Sequence, residues 1–290
     1  MSRFDAWVPW LFLAFWSAGY SVAKLALEYT TPINLLAFRF AGTVLALTPI
    51  VLLLRLPLPN LSAIKALMGI CLLLQMGHFG SVYIGLKLGA SANVMALFAA
   101  SQPVLIILTA ALFKRQMPSP GLWLGLAFGL LGAAWVIGVQ MEGDTGFLLG
   151  SLLGFVAVVG LSLGQVVEKQ RKLGVHPVMG AWVQYVFAAC LSVPLAYFWE
   201  GVTWSNEWPF LAAVSYLVIG NSVIGILLMF RMVRSGSLSQ VSGIMFLVPA
   251  LAALIAWPVA GEQVPWIAVP GMLLAMVGAL WTRGVTAQAR

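Results

Sequence analysis

Charge is what this 290-residue chain has least of. Only 8% of its residues are Asp, Glu, Lys or Arg, while 62% are hydrophobic; soluble domains carry about 25% charged residues. A soluble protein of this length needs a charged surface that so few side chains cannot supply. The composition therefore excludes a globular soluble enzyme, a disordered chain and a secreted disulfide scaffold, and it indicates a polytopic membrane protein.

Cysteine and nucleotide-binding motifs are equally scarce. Cys71 and Cys190 both fall inside apolar runs, and their spacing indicates neither a metal site nor a disulfide. No phosphate-binding loop is present, so we expect neither ATP as the direct energy source nor any other cofactor. The net charge of +7 does not indicate nucleic-acid binding, because the basic residues lie in short runs between apolar stretches.

Apolar stretches follow one another along the chain with short polar breaks, and about 20 such residues cross a bilayer as a helix. Backbone groups must pair within lipid, and no alternating polarity of the barrel type is visible, so these stretches predict helices. The ten predicted spans cover residues 8–27, 33–54, 64–86, 91–113, 121–139, 147–167, 178–199, 209–230, 238–260 and 264–282. The predicted fold class is an all-α membrane protein.

The basic residues predict the orientation of these spans. With the N-terminus inside, twelve Lys and Arg residues fall in cytoplasmic segments and only Lys24 and Lys87 fall outside. Such a bias towards the cytoplasmic side is typical of multi-pass membrane proteins. Both termini are therefore predicted to be cytoplasmic.

The chain also repeats itself at an offset near 145 residues. Matching positions in the two halves include Gly19 with Gly164, Pro32 with Pro177, and Pro103 with Pro249. Each half holds five predicted spans, an odd number, so the second copy would cross the membrane in the opposite direction. Inverted repeats are typical of transporters, with the substrate site between the repeats near mid-membrane. We predict a first repeat over 1–140, an inverted second repeat over 147–284 and a tail over 285–290, enclosing a central cavity.

Two halves of five spans, with the pattern Pro-x6-Arg-Phe from Pro32 to Phe40 and a glycine-rich closing helix in each half, resemble the EamA-type members of the drug/metabolite transporter superfamily. Residues 16–24 are similar to the opening helix of bacterial aromatic amino-acid exporters. The second half departs from the pattern, with Gln184-Tyr185 in place of Arg-Phe, so a role of Arg39 is not assumed to be symmetric.

The resemblance implies ten helices around a central cavity and export of small metabolites from the cytoplasm. It also implies a bacterial cytoplasmic (inner) membrane location, lipid as the surroundings, and a monomer in preference to a dimer. We expect a small-molecule substrate and no nucleic-acid partner.

Polar groups inside a membrane are costly, so each is a functional candidate as well as a candidate for helix-to-helix hydrogen bonding. An aromatic zwitterion needs aromatic walls and groups that hold its charged ends. The candidate substrate-binding residues are Trp16, Tyr20, Lys24, His78, Phe79, Tyr83, Phe98 and Gln240.

Two of these candidates have alternative interpretations. Lys24 shares a helix face with Trp16 and Tyr20 and would hold a carboxylate, or it extends to the membrane surface beside an aromatic belt. His78 lines the cavity, or it bonds helices together; it is also the candidate proton sensor. No Asp or Glu lies in the middle of a span, so proton coupling would depend on His78 or Lys24, or the solute simply equilibrates.

Three residues are candidates for gating or hinge motion. Arg39 is predicted to be structural or gating, with an acidic or carbonyl partner, because a cation is unfavourable near a helix N-terminus. Pro103 and Pro249 each interrupt a helix and act as hinges or as rigid bends. Small-residue stripes in the fifth and tenth spans predict packing between these two helices and not a dimer surface.

The function predicted by the sequence is therefore export of aromatic and other neutral amino acids, or similar small metabolites, by alternating access. The first alternative is export of another solute class, such as a drug-like cation. A second alternative is an intramembrane enzyme built on His78 and Ser81, which lack a third group to orient them. We expect the protein not to be an enzyme.

Overall fold

Helices form every regular element of the parts of the chain that the computed structural model describes, residues 3–115, 117–140, 144–235 and 247–288. This confirms the all-α class. The helices are α1 (Arg3–Ala26), α2 (Pro32–Leu53), α3 (Leu61–Lys87), α4 (Ala92–Ala100 and Gln102–Phe113), α5 (Pro120–Gln140), α6 (Thr145–Arg171), α7 (Pro177–Glu200), α8 (Trp208–Ser215, Tyr216–Ile224 and Gly225–Ser235), α9 (Val248–Ala260) and α10 (Val269–Gln288).

Proline and side-chain caps set the start of many helices. Pro32 and Pro177 are the first residues of α2 and α7, where the missing N–H has no helical partner to lose. Asn60 and Ser91 lie just before α3 and α4, and their side chains accept hydrogen bonds from Ala63 N and Val94 N at 2.9 and 3.2 Å. These caps pair backbone donors that would otherwise be unsatisfied.

Several helices depart from regular α-geometry. The two pieces of α4 meet at Ser101 with a bend of 44°, and Pro103 follows in the first turn of the second piece. Leu72–Gly80 in α3 and Tyr216–Ile224 in α8 are π-helical. π-Helical segments are rare and often accompany functional sites.

Many of these helices are apolar enough to cross a membrane. Among the described residues, six pass by length and composition, and the two pieces of α4 make a seventh if they count as one span. The six are α2, α3, α5, α6, α7 and 208–228 of α8; α9 and 266–281 are apolar but shorter. The protein is thus a multi-pass membrane protein, and the count of ten spans stays a prediction.

The packing of the helices has the symmetry of the repeat: where two helices share one of the most extensive contacts, their counterparts in the other half of the chain are in contact too. α2 packs on its own counterpart α7, and α5 packs on its own counterpart α10. The contact of α1 with α9 corresponds to that of α6 with α4, and the contact of α3 with α6 corresponds to that of α8 with α1. The main hydrophobic core is formed chiefly by residues of α1, α2, α3, α4, α7, α8 and α9.

Glycine and alanine stripes make the contact between α5 and α10 very close, as predicted. A Cβ atom added to Gly132 would lie 2.7 Å from Ala275 N, and one added to Gly278 would lie 2.6 Å from Gly125 O. Only residues without a side chain allow backbones to approach to this distance.

We expect Gly132→Val to lower the free energy of unfolding by about 1–3 kcal/mol, because the new side chain must push α10 away. Gly138→Val, on the same helix, is the matched control, since a Cβ at Gly138 meets nothing within 4 Å. Thermal unfolding in detergent measures both variants. Equal loss of stability in the two would show that α5 and α10 do not pack closely in this way.

Candidate functional site

A narrow cavity lies where α1, α2, α3 and α8 meet, so helices from both halves of the chain form its wall. Its space holds about one water molecule. The lining residues are Trp16, Gly19, Tyr20, Arg39, His78, Phe79, Val82, Tyr83 and Asn221. Five of the eight predicted substrate-binding residues are among them, together with Arg39.

Two π-helical segments supply cavity residues from corresponding places in the two halves of the chain. Leu72–Gly80 carries His78 and Phe79, and Tyr216–Ile224 carries Asn221. Because a π-turn changes the direction in which side chains leave a helix, it re-aims polar groups that a regular helix would place elsewhere.

Aromatic rings form most of the cavity wall. The Trp16 indole and the His78 imidazole stack with centroids 6.3 Å apart, and the His78 and Phe79 rings meet edge to face at 4.6 Å. Phe79 and Tyr83 continue this contact at 6.3 Å. Such a wall offers faces and edges to another aromatic ring.

Arg39 holds its guanidinium in this wall with neutral partners. It is 2% exposed, and it donates to Tyr83 OH at 2.7 Å, Asn221 Oδ1 at 2.5 Å and Ser222 Oγ at 3.1 Å. Its Cζ atom lies 3.7 Å from the centroid of the Phe79 ring, a cation–π contact. Within the part of the chain that the structure describes, no carboxylate lies within ion-pair distance of it.

His78 is fixed in one tautomer when its ring is neutral. Its Nδ1 lies 3.0 Å from Ala157 O in α6. A carbonyl oxygen can only accept, so Nδ1 carries the proton and Nε2 is left as a hydrogen-bond acceptor. His78 therefore combines both interpretations of the sequence, because it bonds two helices and also lines the cavity.

Two further polar groups in the cavity wall have only a weak interaction with each other. Trp16 Nε1 and the Tyr20 hydroxyl are buried and make no hydrogen bond of good geometry to the described residues. Unpaired buried polar groups are costly, and at a cavity they are available to a ligand.

Lys24 lies outside the cavity and forms an ion pair with Glu262, a residue of the segment that connects α9 to α10. Its Nζ donates to Glu262 Oε1 at 2.5 Å and to Ala90 O at 3.1 Å. The Glu262 carboxylate also accepts from Ala92 N at 2.9 and 3.0 Å, at the start of α4. Lys24 thus has a carboxylate partner of its own, which neither interpretation of the sequence anticipated.

A second carboxylate joins the halves at the same end of the molecule. Glu200, at the end of α7, accepts from Ile33 N at 3.0 Å and Asn34 N at 3.1 Å at the start of α2, and from the Thr31 hydroxyl. Thr30, which follows α1, donates to Thr203 O at 2.7 Å. These bonds join the two halves of the chain at this end.

The other predicted site residues are not in the cavity wall. Phe98 packs against Phe155 at 6.0 Å in a separate core cluster. Pro103 follows the bend of α4, and Pro249 is the second residue of α9 as described. Gln240 lies outside the described residues, as do the residues just before Leu247.

Sequence reasoning missed several residues that form the site. Asn221 and Ser222 are polar residues within an apolar run, so the cost of intramembrane polar groups could have singled them out. Gly19 is small because a Cβ there would lie 2.6 Å from Asn221 Nδ2. Among the described residues, no group of three His, Cys, Asp or Glu residues could hold a metal ion.

Comparisons with known proteins agree with this architecture. The chain matches the EamA-like transporter family over residues 6–138 and 148–284. It is 23% identical over 275 residues to an uncharacterized transporter of Bacillus subtilis (strain 168), YvbV, covering 91% of this chain and 88% of that protein. A solved crystal structure of a protein with 18% sequence identity superposes on this chain with a TM-score of 0.65, and the match covers the whole of both chains. This similarity shows the fold alone. The family matches most of the chain in two copies, and the chain belongs to the EamA-like transporter family.

Proposed function

We propose that the protein exports aromatic and other neutral amino acids across the bacterial inner membrane by alternating access, using ten spans arranged as two inverted five-helix repeats. The observation that carries this proposal is an aromatic cavity whose wall comes from both halves of the chain. The family fixes only that the chain is a transporter of small solutes.

The small size of the cavity supports a cycle of opening and closing. Its space holds about one water molecule, whereas an aromatic amino acid has about a dozen heavier atoms and needs a larger site. Loading therefore requires the helices around the cavity to move apart. Alternating access supplies such a movement, because one repeat rocks against the other around the site.

The carboxylates at one end support closure by polar contacts between the halves. Glu262 joins α1 and α4 to the segment after α9, and Glu200 joins α7 to α2. On the orientation that the basic residues predict, this end faces outward. The form described here is then closed to the outside.

The contacts of His78 support a transport role over catalysis. Its Nδ1 is held by a backbone carbonyl, where a catalytic triad would place a carboxylate that stabilises the charged ring. Ser81 is not part of the cavity wall in the described structure.

We expect purified protein in lipid vesicles to take up labelled L-phenylalanine or L-tryptophan in a saturable manner. His78→Trp should lower this uptake by about tenfold or more, since the larger ring fills the cavity. Ile84→Trp is the matched control, because Ile84 lies on the same helix and is 41% exposed on its outer surface. Uptake no greater than in empty vesicles would contradict the proposed function.

The closed end provides a separate prediction. Glu262→Gln keeps an acceptor for Ala92 N but removes the ion pair with Lys24. We expect this ion pair to stabilise the closed form by ~1 kcal/mol, which is about a fivefold change in the ratio of closed to open protein. A single cysteine at the cavity residue Val82, in a variant with Cys71 and Cys190 replaced, reports opening through its labelling rate with a membrane-impermeant thiol reagent added outside.

Glu207→Gln is the control for the labelling experiment, because Glu207 is exposed and its hydrogen bonds are made by its backbone, whose N–H donates to Ser205 Oγ and whose carbonyl accepts from Leu211 N. Faster labelling in Glu262→Gln alone is expected. Equal rates in both variants would refute closure by this ion pair, and faster labelling only from the inner side would refute the orientation.

A further inference from the structure

We infer that Arg39 binds the carboxylate of the transported solute, so that the cavity accepts aromatic carboxylates, amino acids among them, and disfavours aromatic amines that lack a carboxylate. This inference rests on the proposed function and assigns the ligand chemistry of the same cavity. It also changes the role predicted from the sequence, which made Arg39 structural or gating.

The first argument is that the charge of Arg39 has no counter-ion in the described structure. A buried cation is strongly unfavourable unless a negative group lies near it. Each described carboxylate is either exposed or hydrogen-bonded to a group other than Arg39. These carboxylates are Glu28, Asp144, Glu168, Glu200, Glu207 and Glu262.

The second argument is that hydrogen-bond donors remain unused around the cavity. A guanidinium carries five N–H donors, and the bonds of Arg39 to Tyr83, Asn221 and Ser222 use three of them. Trp16 Nε1 can donate weakly to the Tyr20 oxygen, which leaves the Tyr20 O–H as a further donor without a partner. A carboxylate accepts several hydrogen bonds, so one anionic group would satisfy this excess of donors.

The third argument is that the other candidate cation is already neutralised. Lys24 forms its ion pair with Glu262 outside the cavity, so it has no need of a substrate carboxylate. Arg39 lies in the wall itself, and its planar guanidinium suits a carboxylate better than an ammonium does.

The aromatic part of the solute has a place beside this cation. Phe79 lies against the guanidinium, and the Trp16, His78 and Tyr83 rings continue the wall. His78 Nε2 is an acceptor when the ring is neutral, so an ammonium group can be tolerated on a solute that also carries a carboxylate. A solute with an ammonium group alone would instead meet the like charge of Arg39.

Three matched ligands test the inference on the unmodified full chain: L-phenylalanine, 3-phenylpropionate without the ammonium group, and 2-phenylethylamine without the carboxylate. Each competes with labelled L-phenylalanine for purified protein in detergent. We expect the two carboxylates to compete, and 2-phenylethylamine to bind about tenfold more weakly or worse, as loss of a charge-assisted hydrogen bond predicts.

Variants of Arg39 separate carboxylate binding from a structural role. Arg39→Gln should weaken binding of the two carboxylates to the level of 2-phenylethylamine while leaving the amine unchanged or stronger. Arg39→Lys should keep part of the preference, because the charge remains without the fork of donors. Lys65→Gln is the control, since Lys65 is an exposed cation on α3.

The outcomes distinguish the inference from the function on which it rests. If 2-phenylethylamine competes as well as L-phenylalanine, or if Arg39→Gln weakens all three ligands equally, the inference is overturned and amino-acid transport stands. If the unmodified protein neither binds nor transports any of the carboxylates, the proposed function is overturned and the inference with it.

Discussion

The cost of burying the Arg39 guanidinium is the constraint on which the rest of the site depends. In a low-dielectric interior, a charge persists only where dipoles, π-electrons or an anion surround it. The guanidinium is instead surrounded by neutral groups from two other helices, namely Tyr83 and the ring of Phe79 from α3, and Asn221 and Ser222 from α8. Because α2 and α3 belong to one half and α8 to the other, stabilising this cation also holds the two halves together.

The irregular segments of α3 and α8 follow from the same requirement. An apolar α-helix pairs all its backbone groups internally and presents few polar atoms to a neighbour. The π-helical turns of Leu72–Gly80 and Tyr216–Ile224 change the direction of His78 and Asn221 without leaving the helix. The close approach at Gly19, which leaves no room for a Cβ beside Asn221, completes the contact.

The sequence could predict features that depend on composition and period. The helical class, the packing of α5 on α10 and the aromatic residues of α1 and α3 follow from hydrophobic runs, small-residue stripes and spacing. It could not predict that Lys24 meets Glu262, because residues 238 positions apart share no local pattern. The sequence placed Phe98 in the site, but an aromatic side chain suits a hydrophobic core equally well. Its packing partner Phe155 lies in the other half of the chain, so no local pattern could reveal this contact.

Lys24 and Arg39 show how the position of a charged side chain decides its role. Lys24 lies at the end of α1, is 27% exposed in its side chain, and has Glu262 as counter-ion. Its attraction is partly screened by water and can be broken at modest cost, as a gate requires. Arg39 lies deeper, where screening is weaker and an electrostatic interaction counts for more. A fixed internal carboxylate there would neutralise the charge permanently, whereas neutral partners leave it able to attract an anion. Since the same guanidinium contacts both halves, an anion bound to it would act directly on the contacts that keep the cavity closed.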